Sequence, residues 1–371
     1  MTSFILFLGF FSLIISFTST YFVRKIALKF GLVDDQYHRK HPAQIHQGTI
    51  PRAGGLAIYL GLLIPIIFFL PLNKALWGIL AGATLTLAIG LLDDWKDLNP
   101  YFRFIANILT ASLVVAAGIG IPFINNPLDG IIKLDTIRVT FQFFGTHSIL
   151  VWADIFAILF IVWTMNVIGW SGGSDGQLPG FVVIASIVLG ILSLRFTAHD
   201  ISQWVITSLA FITVGSYLGF LPWNFYPQKI MPGYSGKSLA GFMLATLSIL
   251  SGAKVGTMIL VLGLPMTDAL YTVIRRVLSG RSPVWADKGH LHHKLLEKGW
   301  GKRRIAIFYW LTTAVLGIIA LSVSSEQKLF VFLTVIVVMG GMLLWLSRVR
   351  KEFTPPSQHS DRKSNPRYPQ V

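Results

Sequence analysis

Eleven stretches of this chain are apolar for long enough to cross a lipid bilayer, or nearly so. They lie at about 4–23, 54–71, 75–92, 103–121, 151–168, 179–195, 203–220, 238–253, 255–274, 304–323 and 328–346. A helix needs about 20 apolar residues to span the hydrocarbon layer, where every backbone group must be satisfied within the protein. The chain is 53% hydrophobic and only 13% charged, with mean hydropathy +0.65, too apolar for an ordinary soluble domain. The expected fold class is an all-α polytopic membrane protein with about 10–11 transmembrane helices. The stretch from 238 to 274 is the weakest part of that count, because only Ala253-Lys254 divides it.

Charge placement gives an expected orientation. No basic residues precede the first apolar run, and Arg24 and Lys25 follow it. Residues 4–23 therefore read as a retained first span with its N-terminus outside. Of 31 Lys and Arg residues, 25 then fall in the connections and tail assigned to the cytoplasm. That bias follows the positive-inside rule and places the C-terminus in the cytoplasm. The formal charge of +15 thus reports orientation and argues against nucleic acid as a partner. Cysteine is absent, which excludes disulfides and thiolate chemistry. Residues 1–351 read as one membrane domain and 352–371 as a disordered basic cytoplasmic tail. In the outward connection 122–150, Ile137, Val139, Phe141 and Phe143 alternate with polar residues, which predicts one strand of a short β-hairpin.

The polar residues gather at the cytoplasmic ends of the spans. Asp93, Asp94 and Asp97 close the third run, three carboxylates in five residues. On a helix Asp97 shares a face with the other two, at an end whose dipole disfavours anions. Such a cluster calls for a cation or a wet surface. His38-Arg39-Lys40-His41 and Pro51-Arg52-Ala53-Gly54-Gly55 lie in the first inward loop and suit phosphate. The loop Gly169-Trp170-Ser171-Gly172-Gly173-Ser174-Asp175-Gly176 offers backbone amides and one carboxylate. The last inward loop carries Arg275-Arg276 and Asp287-Lys288-Gly289-His290-Leu291-His292-His293. Its Arg and Lys residues repel a metal, so a basic pocket for a diphosphate or nucleotide fits better than a zinc site. Gly236-Lys237-Ser238 is not a P-loop, since Met231 stands where the first glycine is required.

Taken in order, these motifs resemble the polyprenyl-phosphate N-acetylhexosamine-1-phosphate transferases. The resemblance rests on Arg39-Lys40-His41, Pro51-Arg52-x-Gly-Gly, Leu92-Asp93-Asp94-x-x-Asp97, Asn166 with Asp175-Gly176, Gly219-Phe220-Leu221-x-x-Asn224-Phe225 and Asp287-x-x-His290-Leu291-His292-His293. It spans most of residues 20–300, and the His-Leu-His-His form is closer to the UDP-N-acetylglucosamine branch. It implies an enzyme in which undecaprenyl phosphate attacks the β-phosphorus of a UDP-sugar and UMP leaves, at the start of cell-envelope glycan synthesis. It implies Mg²⁺, or Mn²⁺ in its place, and by family analogy a homodimer in the cell membrane. Residue by residue, it makes Asp93, Asp94 and Asp175 catalytic, with Asp94, Asp97 and Asp175 at the metal. Lys40 would bind the lipid phosphate and Asn166 would orient the site. Arg276, His290, His292 and His293 would contact the nucleotide diphosphate or sugar.

Two positions depart from the family pattern. Gly169 stands where the Asn-x-x-Asp-Gly-x-Asp-Gly loop has its first Asp. Gly233-Tyr234-Ser235-Gly236-Lys237 stands where the family has Gly-Asp-x-Gly-Ser, whose Asp is a principal metal contact. Tyrosine does not replace a carboxylate as a hard oxygen ligand at neutral pH. The alternative reading is therefore a catalytically lapsed member that binds lipid phosphate or a nucleotide sugar. A transporter fits less well, because the ionisable residues lie at one surface and not at the midplane.

Overall fold

The computed structural model describes residues 1–35, 48–126, 130–142, 146–195, 203–252, 255–285 and 287–348. Lys40 and the tail 352–371 lie outside the described residues. The chain begins with helix α1 (Thr2–Lys29), then strands β1 (Val33–Asp34) and β2 (Ile50–Pro51). Helices α2 (Gly54–Phe69), α3 (Lys74–Lys96) and α4 (Pro100–Ala116) follow. Next come strands β3 (Phe123–Asn125), β4 (Ile131–Lys133), β5 (Arg138–Gln142) and β6 (Thr146–Leu150). The remainder is helical: α5 (Val151–Ser171), α6 (Gln177–Leu194), α7 (Gln203–Asn224), α8 (Gly233–Leu250), α9 (Val255–Val261), α10 (Gly263–Leu278), α11 (Leu291–Glu297), α12 (Lys302–Ser322) and α13 (Ser325–Arg348).

Each predicted apolar run carries a helix over most of its described length, and the protein is an all-α polytopic membrane protein. Among the described residues, α1, α3, α5, α6, α7, α12 and α13 are each long and apolar enough to span. The run 255–274, expected as a plain span, is instead broken. Its two halves, α9 and α10, meet at an angle of 82°. The physical reason is visible in the sequence of α10, where Asp268, Arg275 and Arg276 on a half-apolar helix cannot share a lipid environment with α9. The connection 122–150 holds two hairpins where one was expected. β3 pairs with β4 and β5 with β6, and Val139 faces Ile149 across the second. Phe143 lies outside the described residues.

Small residues draw the spans together, as expected where helices cannot gain by excluding water. A Cβ at Gly215 of α7 would lie 2.0 Å from the Gly9 carbonyl oxygen of α1. Ser12 donates to the Gly61 and Ile212 carbonyls at 2.8 and 2.7 Å, which ties α1 to α2 and α7. Ser16 donates to Ser216 O at 2.6 Å. The central helix α8 is buried along nearly its whole length, against α3 and α5. Its first turn meets the end of α3, and that junction builds the site.

Candidate active site

Helix α3 ends where its sequence says it should. Asp97 caps it in the left-handed conformation at φ 49°, which Asp tolerates better than most side chains. Asn99 then caps α4, accepting from Tyr101 N at 2.9 Å, with Pro100 in the first turn. This turn leaves Asp93 and Asp94 buried, at 0% and 3% exposure. Two unpaired carboxylates could not persist there.

Their partners come from other parts of the chain. Arg52 enters from β2, and its guanidinium lies 3.3 Å from Asp94 Oδ1, 3.3 Å from Asp97 Oδ1 and 3.9 Å from Asp93 Oδ2. Arg103 of α4 lies 3.4 Å from Asp93 Oδ1, which also accepts from Leu98 N at 3.0 Å. Asp94 accepts from Tyr234 N at 2.7 Å and Ser235 N at 3.3 Å, and from the Ser235 hydroxyl at 2.6 Å. Asp94 therefore caps α8 from a distance, and the positive end of α8 offsets the negative end of α3. Gly233, at φ +68°, is required here: a Cβ would lie 2.2 Å from both Asp94 Oδ2 and Arg52 O. Asp93 Oδ2 is different, being buried and accepting no hydrogen bond among the described residues.

Asp93 lines a cavity of about 220 Å³ together with Asp34, Arg52, Arg103, Tyr234 and Lys237. Asn166, Gly169, Trp170, Gly173 and Asp287 line it as well, and so do His290, His292 and His293. The loop between α10 and α11 is pinned by Asp268 of α10, which accepts from Leu291 N at 2.8 Å and pairs with His290 Nδ1 at 3.0 Å. His290 lies near-parallel to His292 and faces Trp170, with ring centroids 6.0 and 6.4 Å apart. Gly173 admits His292, since a Cβ there would lie 2.0 Å from its Nε2. His292 Nδ1 has no hydrogen-bond partner among the described residues.

Burial, with the neighbouring imidazoles, holds His292 well below the ordinary histidine range. The same causes, and Lys288, bring His293 down to about 4. Both rings are neutral at pH 7. Asp287 is held at about 2: burial pushes it up, but hydrogen bonds from Arg276 and Gly289 N and the charges of Arg276 and Arg275 outweigh that. Below the free histidine value of 6.5 the unfolded chain protonates His293, which the folded chain keeps neutral until about pH 4, and His292 acts in the same direction. Stability is therefore complete above pH 6.5 and falls on acidification towards pH 4. His293 alone contributes on the order of 3 kcal/mol to that fall. Melting temperature measured from pH 7 to pH 4.5 should drop less steeply in His293→Gln than in the native chain.

Two predicted site residues sit elsewhere than expected. Asp175 is buried but does not line the cavity. Its Oδ1 pairs with Lys302 Nζ of α12 at 3.0 Å, and its Oδ2 accepts from Gln228 N at 3.3 Å. Arg276 is buried behind the wall, donating to Asp287 Oδ2 at 3.2 Å and Pro283 O at 2.6 Å. It holds the loop and does not face the cavity. Asn166 does line the cavity, with its amide donating to Val162 O at 2.8 Å. Arg52, from the motif expected to suit phosphate, lines the cavity too, while Arg103, Lys237, Trp170 and Asp268 were not singled out as site residues. Arg52 and Lys237 were visible in sequence as cations beside glycines, while the role of Asp268 depends on a contact 23 residues away.

The expected metal set does not fit. Mg²⁺ takes oxygen ligands in near-octahedral order. Here the oxygens of Asp94 are engaged by the start of α8, Asp97 lies against Arg52, and Asp175 is held by Lys302 outside the cavity. Among the described residues no three His, Asp or Glu side chains gather to hold a metal ion.

Comparison with known proteins bears on what such a site belongs to. The sequence model of glycosyl transferase family 4 matches residues 76–252, from α3 to the end of α8. The chain is 32% identical over 313 residues to the decaprenyl-phosphate N-acetylglucosaminephosphotransferase of Mycobacterium leprae, covering 76% of this chain and 74% of that protein. It is 29% identical over 345 residues to the probable undecaprenyl-phosphate N-acetylglucosaminyl 1-phosphate transferase of Bacillus subtilis, covering 90% and 89%. The undecaprenyl-phosphate alpha-N-acetylglucosaminyl 1-phosphate transferase of Escherichia coli K12 is 27% identical over 325 residues, covering 84% and 81%. By this likeness, and by the motifs that its cavity brings together, the chain belongs to the membrane-embedded glycosyl transferases of family 4.

Proposed function

We propose that this protein transfers N-acetylglucosamine 1-phosphate from UDP-N-acetylglucosamine to a polyprenyl phosphate, releasing UMP. The observation that carries the reading is the cavity in which a buried carboxylate with one oxygen left without a hydrogen bond, three cations and three histidines meet at one end of a membrane bundle. The relatives' names supply the substrate class. Two anionic phosphates must approach each other there, so the cations are needed to offset their repulsion.

In the reaction, an oxygen of the lipid phosphate attacks the β-phosphorus of the nucleotide sugar. The bond from that phosphorus to the bridging oxygen breaks, and UMP leaves with the bridging oxygen and the electron pair. Arg52, Arg103 and Lys237 hold the phosphates. Asp93 Oδ2 accepts the proton when the lipid phosphate enters as a monoanion. His290, His292 and His293 direct hydrogen bonds to the sugar or nucleotide. The cavity then faces the cytoplasm, a reading supported by the placement of Lys and Arg.

The test uses purified full-length protein with UDP-N-acetylglucosamine and undecaprenyl phosphate, in Mg²⁺ and separately in EDTA. UMP and lipid-linked sugar should form in equal amounts. Absence of UMP with every UDP-sugar tried, under both conditions, overturns the proposal and leaves a binding protein.

A further inference from the structure

We infer that Lys237, with Arg52 and Arg103, takes the place of a divalent cation in this chain, so that the cavity binds a nucleotide diphosphate-sugar without metal. The inference rests on the transferase reading above and deepens it. Asp93, Asp94 and Asp97 bring three negative charges to one junction, and Arg52, Arg103 and Lys237 bring three positive ones. The two arginines line the cavity but are shared with the aspartates. Lys237 makes no hydrogen bond or ion pair with a described residue, yet its side chain lines the cavity one turn into α8. Asp34 lines the same cavity and is itself engaged. Lys237 is thus the cation left for an incoming diphosphate.

The departures from the family pattern have the matching charge. Tyr234 in place of Asp removes one negative charge, and Lys237 in place of Ser adds one positive charge. Together they change the site by the charge of one Mg²⁺. The Tyr234 side chain is also committed elsewhere: its hydroxyl donates to Asn107 Oδ1 at 3.2 Å, and the Arg103 guanidinium lies over its ring at 5.2 Å. It fills the space of a metal ligand and braces a phosphate-binding arginine. An ammonium cannot orient as many oxygens as Mg²⁺ does, but beside two guanidiniums in a partly buried cavity it offsets charge strongly.

The experiment titrates UDP-N-acetylglucosamine into the full-length protein by calorimetry, once in excess EDTA and once in Mg²⁺. The native chain should bind in EDTA, with Kd within about threefold of its value in Mg²⁺. Lys237→Met should weaken binding in EDTA about 10- to 100-fold, the loss of one charged hydrogen bond, and Lys237→Arg should restore most of it. The double variant Tyr234→Asp with Lys237→Ser should bind only when Mg²⁺ is present. Melting curves of the unliganded variants separate lost binding from lost fold. Native binding that requires Mg²⁺ overturns the inference and leaves the transferase reading standing. Absence of binding under both conditions overturns the inference too, and UMP release in the assay above then decides the transferase reading separately.

Discussion

Asp93→Asn should lower the turnover of UMP release by about 10²- to 10⁴-fold, the range for loss of a positioned proton acceptor. The substitution is nearly isosteric. Its amide oxygen can still accept from Leu98 N, as Asp93 Oδ1 does at 3.0 Å, and still lies beside Arg103, 3.4 Å from Oδ1 in the native chain. What disappears is the basicity of Oδ2, the buried oxygen that accepts no hydrogen bond. The unliganded protein should therefore melt close to the native temperature, and KM for the nucleotide sugar should change less than kcat. Single-turnover measurement of UMP alongside a melting curve checks both. Unchanged turnover would remove Asp93 from the chemistry.

Its neighbour should behave in the opposite way. Asp94→Ala should cost about 3–5 kcal/mol of stability, the usual penalty for breaking a buried charge pair. Three donors at the start of α8 lose their acceptor, and Arg52 loses one of its carboxylates. Asp94→Asn keeps one acceptor oxygen and should lose roughly half as much. Denaturation of the detergent-solubilised protein, followed by the signal of its tryptophans, measures this without substrate. Native-like melting of Asp94→Ala with activity lost would mean that Asp94 touches substrate and does not serve as the cap of α8.

Adjacent residues with different tasks show where sequence reading succeeds and where it stops. The spans were legible because hydrocarbon imposes one length and one backbone solution on every run. Asp93, Asp94, His290, His292 and His293 stood out because charged and imidazole groups beside apolar runs need a reason to be there. Which group each one meets was not legible. Asp94 is bonded to a turn 140 residues later, and Asp175 is neutralised by Lys302 from another span. Arg276 looked like a ligand for phosphate, yet it faces Asp287 eleven residues on. These pairings depend on helix packing in three dimensions, which local periodicity does not encode. The break at Leu262 was partly readable, since the polar residues of α10 do not suit a span. Its angle was set by the helices around it.

The bond between Asp94 and the start of α8 also has a consequence for biogenesis. The carboxylate leaves the ribosome long before its donors, with α4 to α7 made in between. Until α8 arrives, the end of α3 carries anions without their full set of partners, at a place that is buried once assembly is complete. Insertion must therefore keep this end in contact with water or headgroups, and burial of the cluster becomes a late step that registers arrival of the eighth helix. A chain halted after α7 would present an unsealed acidic end to the membrane surface, a feature by which quality control could tell it from the finished protein.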